Sequence, residues 1–62
     1  MMFKHLDVGY RFIFLVEQDA NYSGERGPWI KVAMHRYVHV DQPALTIALG
    51  TWHAQVIKLE KL

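Results

Sequence analysis

Residues 8–16, V-G-Y-R-F-I-F-L-V, decide the fold, because they read as an extended strand that is apolar on both faces. With a period of two, Tyr10, Phe12, Phe14 and Val16 lie on one side and Ile13 and Leu15 on the other, with Arg11 near the start. Such a strand needs cover on both sides. In a chain of 62 residues its own small core supplies one cover. The second is expected from closure into a barrel or from another subunit.

The same character returns near the other end, where Val56, Ile57 and Leu59 give apolar groups to both faces of a strand expected over residues 52–60. The first and last strands are therefore expected to pair and close a barrel. Ile13, Leu15, Ile57 and Leu59 form the candidate subunit interface, or else a second layer of core. Between these strands, W-I-K-V-A (29–33) alternates as a second strand, with Ile30 and Val32 on one face and Trp29 and Lys31 on the other. Residues 34–36 either turn before a strand at 37–40 or continue one long bent strand. Asp41-Gln42-Pro43 is expected to stop it, since proline cannot donate to a ladder. A-L-T-I-A-L (44–49) alternates again, and Gly50-Thr51 has the form of a two-residue hairpin turn into the last strand. Phe3 and Leu6 are spaced to cap one end of a core, and Gly9 suggests a bend or close backbone approach. Short strands with turns every eight to twelve residues indicate an all-β domain spanning 1–62, a small five-stranded barrel or a strongly bent antiparallel sheet.

A chain of this length buries only about 60% of its unfolded surface, so one core and a thin stability margin are expected. A hydrophobic fraction of 52% with 13% aromatics is well above that of disordered chains, and folding is expected. The absence of cysteine removes disulfides and thiolate metal sites as staples, which leaves oligomerisation. It also fits a reducing compartment, and a cytoplasmic location is expected. Asp7 and Arg11 interrupt the apolar N-terminal run, which argues against a signal peptide. No stretch approaches the roughly 20 apolar residues of a membrane span, so no membrane partner is expected.

Net charge is only +1, so any contact with nucleic acid must rest on a local patch. Arg11, Lys31, Arg36 and Lys58, interleaved with Trp29, Tyr37 and Trp52, are candidates for a basic aromatic groove that binds single strands. His35, Tyr37 and His39 alternate, so on one strand they project from one face, as a ligand, anion or nucleic-acid surface or as an ordinary solvated face. Tryptophan is enriched at interface hot spots, which favours a protein contact for at least one of the pair.

Enzyme signatures do not converge. His35 and His39 on an extended strand lie roughly 13 Å apart, too far to share a zinc ion with His53, and no metal or cofactor is expected. D-A-N-Y-S-G from Asp19 matches the start of a calcium loop, but the twelfth position is Ile30 where a bidentate Glu is needed. The sole serine, Ser23, lies in the polar stretch 17–28, which is expected to be a functional or mobile loop and a poor place to hold a nucleophile against its base.

F-K-H-L-D-V-G-Y-R-F-I-F, then G-P-W-I-K-V, R-Y-V-H-V-D, L-G-T and V-I-K-L, resembles a pattern in short proteins of tailed phages and bacteria, over nearly the whole chain. The likeness implies a small barrel of the Src-homology type and no particular activity. Tyr10 stands where many such proteins have an acidic residue. The resulting expectation is a non-enzymatic binding module, a homo-oligomer that contacts a host macromolecule as a phage-encoded modulator, with a single-stranded nucleic-acid or nucleotide binder as the alternative.

Overall fold

The computed structural model describes residues 1–61. A 3-10 turn, η1 (Phe3–His5), leads into β1 (Tyr10–Phe14), a second 3-10 turn, η2 (Leu15–Gln18), then β2 (Trp29–Ala33), β3 (Arg36–His39), β4 (Gln42–Ala48) and β5 (Val56–Lys61). All strands join one antiparallel sheet in the order β4-β3-β2-β1-β5. The domain is all-β, as expected.

Of the two expected forms, the bent sheet is the one adopted. β1 does pair with β5, with Ile13 opposite Ile57 and Phe14 opposite Val56, but β4 and β5 remain the two edges and the barrel stays open. Register shifts at Tyr10/Phe12, Lys31/Ala33 and Val38/His39 supply the bending, since an unmatched residue increases local twist. The first strand is also shorter than its sequence pattern. Leu15 and Val16 leave the sheet in η2 because the Glu17 carboxylate turns back to accept the Phe14 N–H at 2.6 Å, capping that turn.

Three connections differ from the sequence reading or resolve it. Residues 34–35 form a tight turn, so β2 and β3 are separate strands. Pro43 lies within β4 rather than ending a strand. β4 is an edge, and the jump from Val38↔Thr46 to His39↔Gln42 leaves 43–45 unmatched on β3, so the missing N–H is tolerated. Gly50-Thr51 is not a hairpin turn. β4 pairs with β3 and β5 with β1, so the intervening segment crosses from one side of the sheet to the other.

The core lies on the inner face, where Phe3, Leu6, Phe12, Trp29 and Val56 are buried and Tyr10, Phe14, Tyr37, Ile47 and Leu49 pack around them. Phe3 and Leu6 do close one end of it. Phe3 meets the Phe12 ring edge-on at 5.4 Å, an arrangement favoured by the aromatic quadrupole. Gly9 adopts φ +97°, and its N–H donates to the Lys31 carbonyl at 2.8 Å, joining the N-terminal segment to β2. The exposed surface, 4118 Å², matches the ~4,200 Å² of a folded monomer of 7.3 kDa. The bent sheet thus covers much of its own second face, with Val38 and Ile30 buried there directly opposite each other.

Candidate binding surface

Three of the candidate cations and aromatics, Trp29, Lys31 and Tyr37, belong to the interior. Trp29 and Lys31 are 4% and 3% exposed and face inward, while Ile30 faces outward, so charge does not predict side at this strand. The Lys31 ammonium donates to the carbonyls of Phe3 at 2.9 Å and Leu6 at 2.6 Å and lies 4.6 Å from the Phe3 ring centroid. It therefore adds a second donor to the Phe3 carbonyl, which already accepts the Leu6 N–H that closes η1, and satisfies the Leu6 carbonyl just beyond that turn. Burial pushes its pKa below the usual lysine value, with the negative charge of Asp7 acting the other way.

Tyr37 is likewise a core hub rather than part of a surface ladder. Its ring packs edge-on against Phe3, Phe12, Phe14 and Trp29 at 5.2–6.1 Å. Burial raises its pKa, and the charges of Tyr22, Glu25 and Glu17 add to the rise. His39 packs on Trp29 at 4.9 Å, with one ring nitrogen against the Arg26 carbonyl at 2.9 Å and the other accepting the Asp41 N–H at 3.0 Å. The inward alternation of β3 takes Tyr37 and His39 into one cluster and leaves His35 in the preceding turn.

The polar stretch 17–28 is built around a buried carboxylate that the sequence reading did not single out. Glu17, 5% exposed, accepts the N–H groups of Phe14 and Gly27, at 2.6 and 2.5 Å, and the Trp29 indole N–H at 2.8 Å. Arg26 donates to the carbonyls of Glu17, Asp19 and Tyr22 and lies over the Tyr22 ring. This loop is cross-linked, not slack. Its one sequence signal was Glu17 three residues after the last strand position, a half capping box. Asp19 uses a side-chain oxygen on the Asn21 N–H at 2.9 Å, an Asx turn in place of a calcium loop.

The remaining candidates are at the surface. Arg11 pairs with Glu60 at 3.1 Å across β1 and β5. Arg36 is exposed at the start of β3, and Lys58 lies over the Tyr10 ring at 5.0 Å. His35 and Trp52 come together at 4.7 Å, edge-on, with His53 5.5 Å and the Lys4 ammonium 5.8 Å from the same indole. Three segments build this cluster. The β4–β5 connection is fastened to η1 by the Lys4 N–H to the Trp52 carbonyl at 2.9 Å and the Phe3 N–H to the Ala54 carbonyl at 2.8 Å. The Leu49 N–H donates to the His35 carbonyl at 2.7 Å, holding the β2–β3 turn beside it. Lys4 escaped the sequence reading of this surface because only the crossing connection brings it to Trp52, whereas His53 is the chain neighbour of that indole.

Of the four interface candidates, two are brought into direct register. Ile13 and Ile57 are direct partners on the outer face, both half-buried, while Leu15 and Leu59 are 47% and 38% exposed. Among the described residues there is no enclosed pocket, no group of three metal-ligating side chains, and no helix long and apolar enough to cross a membrane. Comparison with family models, with curated proteins and with solved structures gave no match to this chain.

Proposed function

We propose that this protein is a non-enzymatic binding module, a bent β-sheet scaffold that self-associates and presents its free surface to a macromolecule. The observation that carries self-association is the Ile13–Ile57 pair on the face away from the core, flanked by exposed Leu15 and Leu59. A two-fold axis through that pair lays each isoleucine on its counterpart, and the Arg11–Glu60 pair beside it offers both charges to the same charges reversed. A second copy is therefore the occupant that this face fits. The further partner in this reading is a host macromolecule, and the absence of cysteine fits a cytoplasmic setting.

Support for a binding role over catalysis comes from how the reactive groups are spent. Both Glu17 oxygens, the Lys31 ammonium and both His39 nitrogens are committed to structural hydrogen bonds. Sedimentation equilibrium at micromolar to near-millimolar concentration tests the assembly. The wild-type chain is expected to sediment as a dimer or larger species, and Leu15→Lys as a folded monomer, since Leu15 contributes little to the core. A wild-type monomer throughout that range sinks the self-association reading.

A further inference from the structure

We infer that the Trp52 cluster is a binding site for single-stranded nucleic acid, in which a base stacks on the Trp52 indole and the adjoining phosphate meets Lys4, His35 and His53. Trp52 is 36% exposed although His35, His53 and Lys4 stand against its ring. These polar side chains are all potential donors. The stretches that build the cluster, M-M-F-K-H-L, M-H-R and L-G-T-W-H-A-Q, contain Lys4, His5, His35, Arg36 and His53 and no acidic residue, although the chain has six. Three of its four histidines are there. Of these residues, Lys4, His35 and His53 stand against the indole and offer donors for an anion there.

The ligand class follows from that combination. An exposed ring flanked by an ammonium 5.8 Å from its centroid and two imidazoles at 4.7 and 5.5 Å suits a planar group joined to an anion a few ångströms away. A nucleotide within a strand has that design, and every base has a face to stack whatever the sequence. An acidic peptide matches the charge but leaves the indole without a partner. A duplex hides its bases in the stack. The site is also held in place before any ligand arrives, because backbone hydrogen bonds tie Trp52 to η1 and the β4–β5 connection to His35.

The inference rests on the binding-module reading but not on self-association, whose residues, Ile13, Leu15, Ile57 and Leu59, are separate from this cluster. Titration with an oligo-dT of about 12 nucleotides at low salt, followed by tryptophan fluorescence, is the test. Quenching is expected from Trp52, since Trp29 is buried. Affinity is expected to fall with salt, by about 0.7 log units per log unit of salt for each phosphate neutralised. Trp52→Ala is expected to remove the quenching and weaken binding roughly 5- to 150-fold, the range carried by one base–aromatic stack. Lys4→Gln should keep the quenching and lower the salt slope, a readout that survives if Trp52→Ala proves poorly folded by circular dichroism. Equal binding of a duplex of the same length, or of polyglutamate, overturns the stacking assignment. A free mononucleotide binding as tightly as the oligonucleotide overturns the strand assignment. No salt-dependent quenching at all overturns the site, and leaves the sedimentation of wild-type and Leu15→Lys chains to decide self-association separately.

Discussion

Trp29 and Trp52 are the same side chain in opposite settings, and the contrast divides this molecule into a locked end and an open one. Trp29 is 4% exposed, its indole N–H held by Glu17 at 2.8 Å and its ring hemmed by Phe14, Tyr37 and His39. Trp52 is 36% exposed, with His35, His53 and Lys4, groups that can also face water, against its ring. At the locked end, polar groups satisfy one another and make stability. At the open end, the same chemistry is left turned outward. Burial of a charged group demands partners supplied from elsewhere in the chain, so the locked end spends its carboxylate, guanidinium and indole on internal bonds.

Substitutions at the two ends test that division. The largest effect is expected from Glu17→Ala, which strands the N–H groups of Phe14, Gly27 and Trp29. Each buried donor left unpaired costs about 1–3 kcal/mol, whereas a chain of 62 residues has a total stability of only about 3–9 kcal/mol. Urea denaturation should find this variant largely unfolded, while Trp52→Ala shifts stability by less than about 1 kcal/mol. A larger loss for Trp52→Ala than for Glu17→Ala breaks the contrast. Next comes Gly27→Ala. An added Cβ there meets the Trp29 ring at 2.5 and 2.7 Å, and that ring cannot yield without breaking its bond to Glu17, so a loss of about 1–3 kcal/mol is expected.

The smallest effect concerns pH. Lys31 has a lowered pKa in the folded chain, so between that value and about 10.4 the unfolded chain holds the proton that the folded one has released. Stability from this group therefore rises with pH across that window. Tyr37 works in the opposite sense. Its raised pKa means the folded chain keeps its proton longer, so stability from Tyr37 falls as pH climbs above about 10. In Lys31→Met the rising contribution disappears and only the alkaline fall remains, which thermal melts between neutral and alkaline pH will reveal. An unchanged profile in this variant counts against a buried, desolvated ammonium.

Much of the fold was legible residue by residue. Alternation in 10–14 and 29–33 marked β1 and β2, Phe3 and Leu6 announced themselves as a cap, and the two-faced patterns near both ends pointed to the β1–β5 pair. The hairpin expected at Gly50-Thr51 failed for an instructive reason. A turn signal is local, but which strand edge is free to accept β5 is settled by β1, whose neighbours lie far away in sequence. Residues 8–16 were read as one strand for a similar reason. Nothing within V-G-Y-R-F-I-F-L-V tells that a carboxylate just beyond it will turn back and end the ladder at Phe14.

The candidate surface was less legible, because a period of two says that Trp29 and Lys31 share a face but not which face meets the core. Lys31 points inward because η1 leaves two carbonyls within its reach, and Tyr37 because four aromatic rings converge on its position. By itself, then, the sequence determined an all-β fold, the alternation of its strands and the excess of apolar faces near its two ends. Only the tertiary structure decided that the sheet stays open, that Glu17 and Lys31 are buried, and that Lys4 and His35 meet Trp52. Alternation is a property of neighbouring residues, whereas register, burial of a polar group and convergence of a site depend on partners many residues away.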